Sequence, residues 1–543
     1  MNAVNPITVD PITVEVIGSA FASIAEEMGE ALVRASHSTN IKERRDCSTA
    51  LFDTLGNTLC QAEHIPMHLG SFIGILPHVM KRHPVAEMRP GDVFVGNDAY
   101  EGGGTHLPDL VLAEPIFVDG TIVAWAVNTA HHADFADRGH AHIYQEGLRI
   151  PPVRLYRAGE LQADIQALIL LNCQVPRERL SDLRAQMAAN RLGVERMQAL
   201  CAKYGTDVVL AAGLALQDYA ERKMRAGILS IPDGVYDFSD QFDAPEIDGE
   251  LECSVRIAVA GDTMALHFES PAQMRAGVNV VYTALLSAVY YAVKTVVDPT
   301  ILPNAGLARP LTVTAKLGTV LNCVHPAAVN GRLSACQRVV DLIHGALAQA
   351  VPDRVIAACN GACYSATFAG TRADGSLWVY LETIGGGSGA RATRDGLDGV
   401  HVHLTNTSNL PVESLELEYP LTLLRYELVD GSGGPGTQRG GMGLRRVYRA
   451  EAECRLRVDG SRLHSAPWGL QGGLPGGMGG FVYGGSAAFV HGNGVLQAGE
   501  IIEIVTPGAG GYGPPSGRAA AAVGRDIAEG RIGAEAARLV YGR

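Results

Sequence analysis

The chain has 543 residues, which is too long for one hydrophobic core and predicts two to four domains. Hydrophobic residues at 47% and charged residues at 19% are typical of a globular protein, and no run of about 18 apolar residues suggests a membrane span. A net charge of −13 argues against a nucleic-acid partner, which would require a basic face.

The N-terminus has no basic segment followed by an apolar run, so we expect no secretory signal. Ten cysteines are scattered along the chain without a CxxC pair. This pattern favours buried free thiols in a reducing compartment over a zinc ribbon or a disulfide framework. We therefore expect a cytoplasmic protein.

Apolar periodicity predicts a multidomain α+β fold whose first domain spans residues 1–230. Asp119-Gly120 predicts the turn of a β-hairpin, because it separates two runs rich in valine, isoleucine and aromatic residues. The predicted elements are a helix over 11–38, a strand over 48–52 closing on a turn at 53–57, strands over 93–96, 110–117 and 121–128, and a segment over 160–230 that is helical throughout.

The turn Pro232-Asp233-Gly234 marks a change from helical to strand patterns, so we place a domain boundary near 230. Residues 231–330 are predicted to form a middle α+β domain. Residues 331–543 are predicted to form a β-rich C-terminal domain that starts with a helix over 332–350. Its glycine-rich runs alternate with apolar β-type runs and therefore predict tight turns.

Histidines are concentrated near the N-terminus, where ten of the 17 lie between positions 37 and 142. Imidazole next to carboxylate is a common way for proteins to hold a divalent metal. His106, Asp109 and His131 are the leading candidates for such ligands. The alternative is that these three side chains only satisfy hydrogen bonds of a loop.

His106 and Asp109 do not form a helical ligand pair, because Pro108 and three preceding glycines oppose a helix. The glycines would allow the backbone to turn tightly around a bound ion or substrate. If the predicted hairpin forms, antiparallel pairing brings His131 back to His106 and Asp109 across 25 residues of sequence.

Other candidates carry weaker signals. Asp46 lies in Arg44-Arg45-Asp46, which is also compatible with a surface ion pair. His64 and His68 have helical spacing, although Pro66 stands between them. His132 and Asp134 could orient the ligands or simply line the pocket.

Nucleotide and serine-hydrolase motifs are missing from the sequence. Gly385–Gly389 superficially resembles a phosphate loop, but no GxxxxGK[ST] occurs and no such run joins a strand to a helix. No GxSxG elbow is present either. ATP binding by this chain alone and a serine-hydrolase mechanism are therefore not favoured.

Long motifs in order give the chain a resemblance to the hydantoinase B/oxoprolinase family, which includes subunits of hydantoinases, lactamases and the acetone and acetophenone carboxylases. The stretches that carry the resemblance are SHSTNIKERRDCSTALFD (36–53), HIPMHLGS (64–71), PGDVFVGNDAYEGGGTHLPDLVL (90–112), TAHHAD (129–134), EGLRIPPVRL (146–155), GGGSGARATRDG (385–396), NLPVESLELEYP (409–420), SGGPGTQRGGMG (432–443) and PGAGGYGPP (507–515). The family pattern is broken where 135–140 replaces a glycine-rich segment, which places the substrate rather than the metal site in question.

The resemblance implies a divalent metal, zinc or manganese or else iron, bound by His106, Asp109 and His131, with Asp46 as a less certain fourth ligand. It also implies an A-type ATPase partner, in an α2β2 heterotetramer, that uses ATP and magnesium to activate a small cyclic amide. This chain would then complete hydrolysis at its metal, which lowers the pKa of a bound water. His132 or Asp134 would relay the proton.

Three other functions remain open at this point. The same site could serve ATP-dependent carboxylation of a ketone, which bicarbonate incorporation would reveal. Two histidines and a carboxylate also form the facial triad of non-heme iron oxygenases. Finally, the chain could be a non-enzymatic scaffold for the ATPase partner.

Overall fold

The computed structural model describes residues 9–62, 64–132, 139–361, 363–484 and 492–542. Within these ranges helices and strands alternate around four sheets, and the predicted multidomain α+β class is confirmed. All ten cysteines lie in the described ranges, and none forms a disulfide.

The N-terminal region holds one large sheet with helices on both faces. Its elements are α1 (Pro11–Ala35), α2 (Thr39–Lys42), β1 (Cys47–Phe52), β2 (Thr58–Gln61), α3 (Leu69–Arg82), β3 (Val93–Gly96), β4 (Asp109–Val118), β5 (Thr121–His131), β6 (Val153–Arg157), β7 (Glu160–Leu161), α4 (Ala163–Leu171), α5 (Pro176–Tyr204) and α6 (Thr206–Ile228).

The seven strands of this sheet follow the order β2-β1-β5-β4-β3-β6-β7, and every pair is antiparallel. Leu51 and Phe52 are neighbours on β1, yet they lie in different hydrophobic cores, because successive strand residues face opposite sides. One core contains α1, α5 and α6, and the other contains α3. The sheet is therefore covered on both faces.

Helix α1 confirms the first predicted helix, although it ends three residues earlier than expected. Asp10 caps its start by accepting a hydrogen bond from the amide of Thr13, and Pro11 occupies the first helical position. At the other end the chain becomes extended at Ser36. The predicted strand over 48–52 and the hairpin around Asp119-Gly120 are also confirmed.

The prediction that 160–230 is helical throughout is wrong in part. Residues Glu160–Leu161 form the short strand β7, and the helical segment is broken twice. Pro176 starts a new helix, since proline is accommodated in a first helical turn but not in an interior. Gly205 has a φ of +87°, which side chains disfavour, and separates α5 from α6.

In the described part of the chain, no single helix is long and apolar enough to cross a membrane. The pair α5 and α6 reaches that length and composition together, but the two helices are bent by 107°.

The middle region is a four-stranded sheet covered on one face by two helices. Its elements are β8 (Gly234–Phe242), β9 (Leu251–Ala260), β10 (Thr263–Glu269), α7 (Tyr282–Val297), β11 (Leu311–Ala315) and α8 (Arg332–Leu347). The strand order is β11-β10-β9-β8, and β10 pairs parallel with β11 because α7 crosses between them. Helix α8 packs in this same core, and domain boundaries near 230 and 330 stay predictions.

The C-terminal region is β-rich, with two four-stranded sheets that share one hydrophobic core. The sheet orders are β13-β12-β16-β18 and β14-β15-β19-β17. Its elements are β12 (Tyr364–Thr371), β13 (Leu377–Ile384), α9 (Val412–Glu418), β14 (Leu421–Leu428), β15 (Leu444–Ala450), β16 (Cys454–Asp459), β17 (Gly480–Tyr483), β18 (Asn493–Leu496), β19 (Ile501–Val505), α10 (Ala520–Ala528) and α11 (Ala534–Tyr541).

The glycine-rich runs of this region are more than the tight turns that the sequence predicts. The amide of Gly441 donates to the carbonyl of Ser388, and the amide of Gly396 donates to that of Arg439. A Cβ atom at Gly389 would overlap the carbonyl of Ala357. Backbone therefore packs directly against backbone, which requires glycine for lack of space.

Candidate metal centre

The β4–β5 hairpin brings the three leading candidates together. Asp109 is the first residue of β4 and pairs directly with His131, the last residue of β5. His106 lies in the turn that leads into β4. A Cβ atom at Gly103 would clash with the backbone of Asn97, so the glycines let this loop fold back on β3.

The donor atoms of these three residues lie close enough to share an ion. One ligand atom from each of His106, Asp109 and His131 lies within 4.8 Å of the others. Nε2 of His106 is 2.9 Å from Oδ1 of Asp109, and the two imidazole rings are 5.0 Å apart. The predicted convergence is therefore present, while the role of these residues as ligands stays a prediction.

The donor set fits a first-row divalent metal, because it combines neutral nitrogen donors with an anionic oxygen. His106 and Asp109 are buried, and His131 is half-buried. Nδ1 of His106 is buried and makes no hydrogen bond to any described residue. Polar atoms are rarely left so in a folded interior, which supports a ligand or ordered water at this place.

Asp46 lies against the same group, and its backbone is tied to a candidate ligand. Its carbonyl accepts a hydrogen bond from the amide of His131 at 3.0 Å. Oδ1 of Asp46 lies 3.7 Å from Nε2 of His68, and the same nitrogen lies 3.9 Å from Oδ1 of Asp109. The structure thus adds His68 between two carboxylates.

The position of His68 was hidden in the sequence by Pro66. Residues Pro66–His68 form a short 3-10 turn immediately before α3, so proline starts the helical segment instead of breaking it. Ser48 of β1 lies 2.9 Å from Nδ1 of His68 and so orients the ring. His64 points elsewhere, with Nε2 3.9 Å from Glu26.

Asp109 is kept ionised in spite of its burial. Burial alone would raise its pKa, but His106, His68 and Arg332 hold the pKa well below its usual range. Arg332 donates to Oδ2 of Asp109 at 3.0 Å and to the hydroxyl of Thr105 at 2.7 Å. At Asp46 burial outweighs the neighbouring His68 and Arg44, so the pKa of this carboxyl is raised.

Two imidazoles at the centre, those of His68 and His131, are held neutral. Burial is the main cause of the lowered pKa of His68, and burial followed by the neighbouring His106 holds the pKa of His131 well below its usual range. Metal ligation requires an unprotonated nitrogen. These rings are therefore ready to act as ligands at neutral pH.

His131 is held by a buried chain of polar contacts. The amide nitrogen of Asn40 donates to the carbonyl of His131 at 2.7 Å and lies 3.2 Å from its Nδ1. The oxygen of the Asn40 amide accepts from Arg44 at 2.8 Å. Arg44 also donates to the carbonyl of Leu381 and to Thr383 on β13, so the C-terminal sheet is coupled to this ligand.

His132 lies apart from the centre, as expected for the residue after His131 on an extended chain. Nε2 of His132 is 2.9 Å from Oε1 of Gln186 on α5, and the ring lines a separate small cavity. Burial lowers the pKa of His132 to about 4. Asp134, the other predicted proton relay, lies outside the described residues.

The candidate ligands form one wall of a cavity of ≈130 Å³ at the junction of the three regions. Part of the wall consists of hydroxyl and apolar side chains. Three further polar residues line the cavity that sequence reasoning did not select: Arg332, His140 and Glu146. Arg332 lies far from the histidine cluster in sequence, which left no signal by which to find it, whereas His140 belongs to that cluster and Glu146 follows it closely.

The fold places a group of residues that could hold a metal ion at a junction of three regions. The family model for hydantoinase B/oxoprolinase matches residues 10–515. The chain belongs to this family.

Relatives cover the chain almost completely. An uncharacterised protein of Methanocaldococcus jannaschii is 38% identical over 98% of this chain and 96% of its own length. A protein of Pseudomonas sp. (strain NS671), provisionally named as the B-type subunit of a D-/L-hydantoinase, is 32% identical over 98% of this chain and 95% of its own length. The beta subunit of caprolactamase from Pseudomonas jessenii is 32% identical over 98% of this chain and 96% of its own length.

Two solved structures share the fold. ATP-dependent caprolactamase from Pseudomonas jessenii superposes with a TM-score of 0.86 at 30% identity, covering 99% of this chain and 96% of that one. A nucleotide-free acetone carboxylase superposes with a TM-score of 0.87 at 18% identity, and the match covers 98% of this chain and 79% of the acetone carboxylase chain. The second likeness shows the fold alone.

Proposed function

We propose that this chain is the metal-containing subunit of an ATP-dependent hydrolase of cyclic amides. The observation that carries the proposal is the convergence of His106, Asp109 and His131 at the wall of one enclosed cavity. Asp46 is proposed as a fourth ligand. The substrate class is a small ring such as a hydantoin, an oxoproline or another lactam.

The names of relatives support both the reaction class and a partner. The caprolactamase and D-/L-hydantoinase relatives are each named as one subunit of an enzyme, and this chain covers nearly their whole length. In contrast, this chain spans 42% of 5-oxoprolinase 1 of Arabidopsis thaliana, which is 30% identical over the matched part. We propose an A-type ATPase subunit as the partner, in an α2β2 heterotetramer that uses ATP and magnesium, and a cytoplasmic location.

A divalent ion held by these residues, whether zinc, manganese or iron, supplies a Lewis acid and makes water a better nucleophile near neutral pH. The protein's own residues prepare the site for it. His106, His68 and Arg332 keep Asp109 anionic, and burial keeps His131 neutral. The enclosed cavity limits bulk water around the ring carbon that is attacked.

His140 replaces His132 as the residue that we propose to move the proton. His140 lines the cavity, and its Nδ1 lies 3.0 Å from Oε1 of Glu146. The Glu146 carboxylate next to Nδ1 fixes the orientation and tautomer of the imidazole. Nε2 of His140 is then left to exchange a proton with the substrate. His140 would donate to the amide nitrogen that leaves when the ring opens.

Ketone carboxylation is the alternative reaction at the same site. The acetone carboxylase structure supports only the common fold, so no observation at the cavity favours this reaction. We keep it as an outcome of the test rather than as a second proposal.

The test is co-expression with an A-type subunit, followed by a screen of lactams, hydantoins and ketones with ATP, with and without bicarbonate. ATP-dependent ring opening that requires His106 supports the proposal. Incorporation of labelled bicarbonate into a ketone would assign the carboxylase reaction instead. Oxygen uptake with ferrous iron, or ring opening that persists after His106→Ala, would also contradict it.

A further inference from the structure

The N-terminus of helix α8 opens into the cavity that holds the candidate metal ligands. Five consecutive residues, 330–334, form part of the cavity wall. Because α8 runs for 16 residues, its aligned peptide dipoles place partial positive charge at this wall.

The first turn of α8 offers backbone donors to the cavity. The preceding residue is Gly331, which has no side chain to cap the helix. The amide of Arg332 donates to the carbonyl of Val329, whereas the amides of Leu333 and Ser334 have no acceptor among the described residues.

Ser334 provides an observation that is independent of the helix. Its side chain lines the cavity, the residue is only 7% exposed, and its hydroxyl makes no hydrogen bond to another described residue. Thr367 of β12 lines another part of the cavity wall and is also 7% exposed. Its hydroxyl likewise makes no hydrogen bond to another described residue. Both residues are more than nine-tenths buried, and their hydroxyls are left to bond a polar ligand that enters the cavity.

The turn that precedes α8 already holds an anion of the protein itself. The carboxylate of Glu146 accepts from the amide of Val329 at 3.0 Å and from the amide of Asn330 at 2.8 Å. The next amides along the chain without an acceptor among the described residues belong to Leu333 and Ser334, which line the cavity. A second oxyanion is the ligand that best satisfies them.

We propose that the first turn of α8 and the hydroxyl of Ser334 form a subsite for a phosphoryl group next to the candidate metal ligands. That this group is the one carried by the activated amide rests on the proposed function. The subsite itself does not depend on turnover.

The test measures binding of inorganic phosphate and methyl phosphate to the purified full-length chain by calorimetry. Ser334→Ala removes one hydrogen bond to a charged group and should weaken binding roughly tenfold. Ser334→Asp places a carboxylate where the ligand would lie and should abolish saturable binding. Aspartate is favourable in a first helical turn, so this variant should fold, as circular dichroism will verify.

Thr206→Asp is the matched control, because it places the same charge at the start of α6, away from the cavity. This variant should bind phosphate like the wild type. Absence of saturable phosphate binding to the wild type would overturn the proposal. Unchanged binding in both Ser334 variants would do the same.

The two probes separate the sources of the phosphoryl group. Comparable binding of methyl phosphate supports a site for the phosphoryl ester of an activated amide, whereas binding of inorganic phosphate alone overturns that assignment. If phosphate binds as expected but the complex shows no ATP-dependent ring opening, the proposed function fails and the subsite stands. If ring opening occurs while wild-type phosphate binding is absent, only the subsite fails.

Discussion

Asp109 and His131 are direct cross-strand partners where the β4–β5 ladder ends at the cavity. Their meeting depends on the register of the hairpin, because a slip by one residue would turn one of these side chains to the opposite face. Asp119 and Gly120 both adopt positive φ and form the turn at the far end of the hairpin, and an irregularity between Ile116 and Phe117 shifts the pairing by one residue into the register that joins Asp109 to His131.

Asn40→Ala should weaken metal binding without unfolding the protein. Asn40 holds the carbonyl of His131 and lies beside its ring, and loss of such an outer contact typically costs roughly 10–100-fold in metal affinity. Titration with a competing chelator measures the change. Asn172→Ala is the control, since Asn172 is exposed and its side chain donates to the carbonyl of Leu168 within the same helical segment. Equal affinity in both variants would show that Asn40 does not position His131.

His140→Gln should lower kcat by roughly 100-fold in the assembled enzyme, because proton transfer to the leaving nitrogen would be lost. KM should change little. His142→Gln serves as the control, as His142 lies in the same segment but outside the cavity wall. Steady-state assays with the substrate found by screening distinguish the two. A His140→Gln enzyme with normal kcat would return the role of proton carrier to an open question.

Glu114→Gln should stabilise the protein at alkaline pH. Burial raises the pKa of Glu114 from its ordinary 4.5 to about 7, since little compensates its charge on β4. The folded state therefore binds a proton more tightly than the unfolded state, and this contribution to stability is present below pH 4.5 and is lost as the pH rises through 7.

The expected gain for Glu114→Gln at pH 8 is on the order of 2 kcal/mol, and it should shrink towards zero near pH 4.5. Urea denaturation at pH 5 and pH 8 measures it. Glu160→Gln is an exposed control that should change little at either pH. A gain of equal size at both values would be inconsistent with a raised pKa.

Gly389→Ala should destabilise the C-terminal region by about 3 kcal/mol or more, because the added methyl overlaps the carbonyl of Ala357. Gly524→Ala is the matched control, since it lies within α10 and nothing approaches its Cβ position. Alanine there should be neutral or stabilising by up to about 1 kcal/mol. Thermal unfolding of both variants checks the pair, and similar melting temperatures would rule out the backbone-packing explanation.

The sequence was sufficient to predict the parts of the site that are local or linked by one hairpin. His106 and Asp109 are three residues apart, and the Asp119-Gly120 turn predicts the return of His131. Arg332 could not be found in this way, because it reaches Asp109 across 223 residues through packing of α8. The same limit applies to Ser334 and Thr367, whose importance lies in a cavity formed by three regions.

Two features of the structure depend on contacts that a sequence does not display. Adjacency groups His132 with His131, but extended backbone directs neighbouring side chains to opposite sides. The glycine-rich runs of 385–389 and 432–443 predict turns, yet much of their glycine serves close backbone packing. The direction of the His132 side chain and the packing of these glycines both depend on contacts in space rather than on neighbours in sequence.

The most direct test of the central claim is elemental analysis of the purified chain, together with its His106→Ala, Asp109→Asn and His131→Ala variants. We expect about one tightly held divalent ion per wild-type chain and loss of that ion in each variant. His267→Ala, an exposed histidine on β10, should retain it. Co-purification of each variant with the A-type subunit, with turnover lost, would confine the effect to the site. A wild-type chain that holds no ion after metal supplementation, or variants that hold as much as the wild type, would contradict the account.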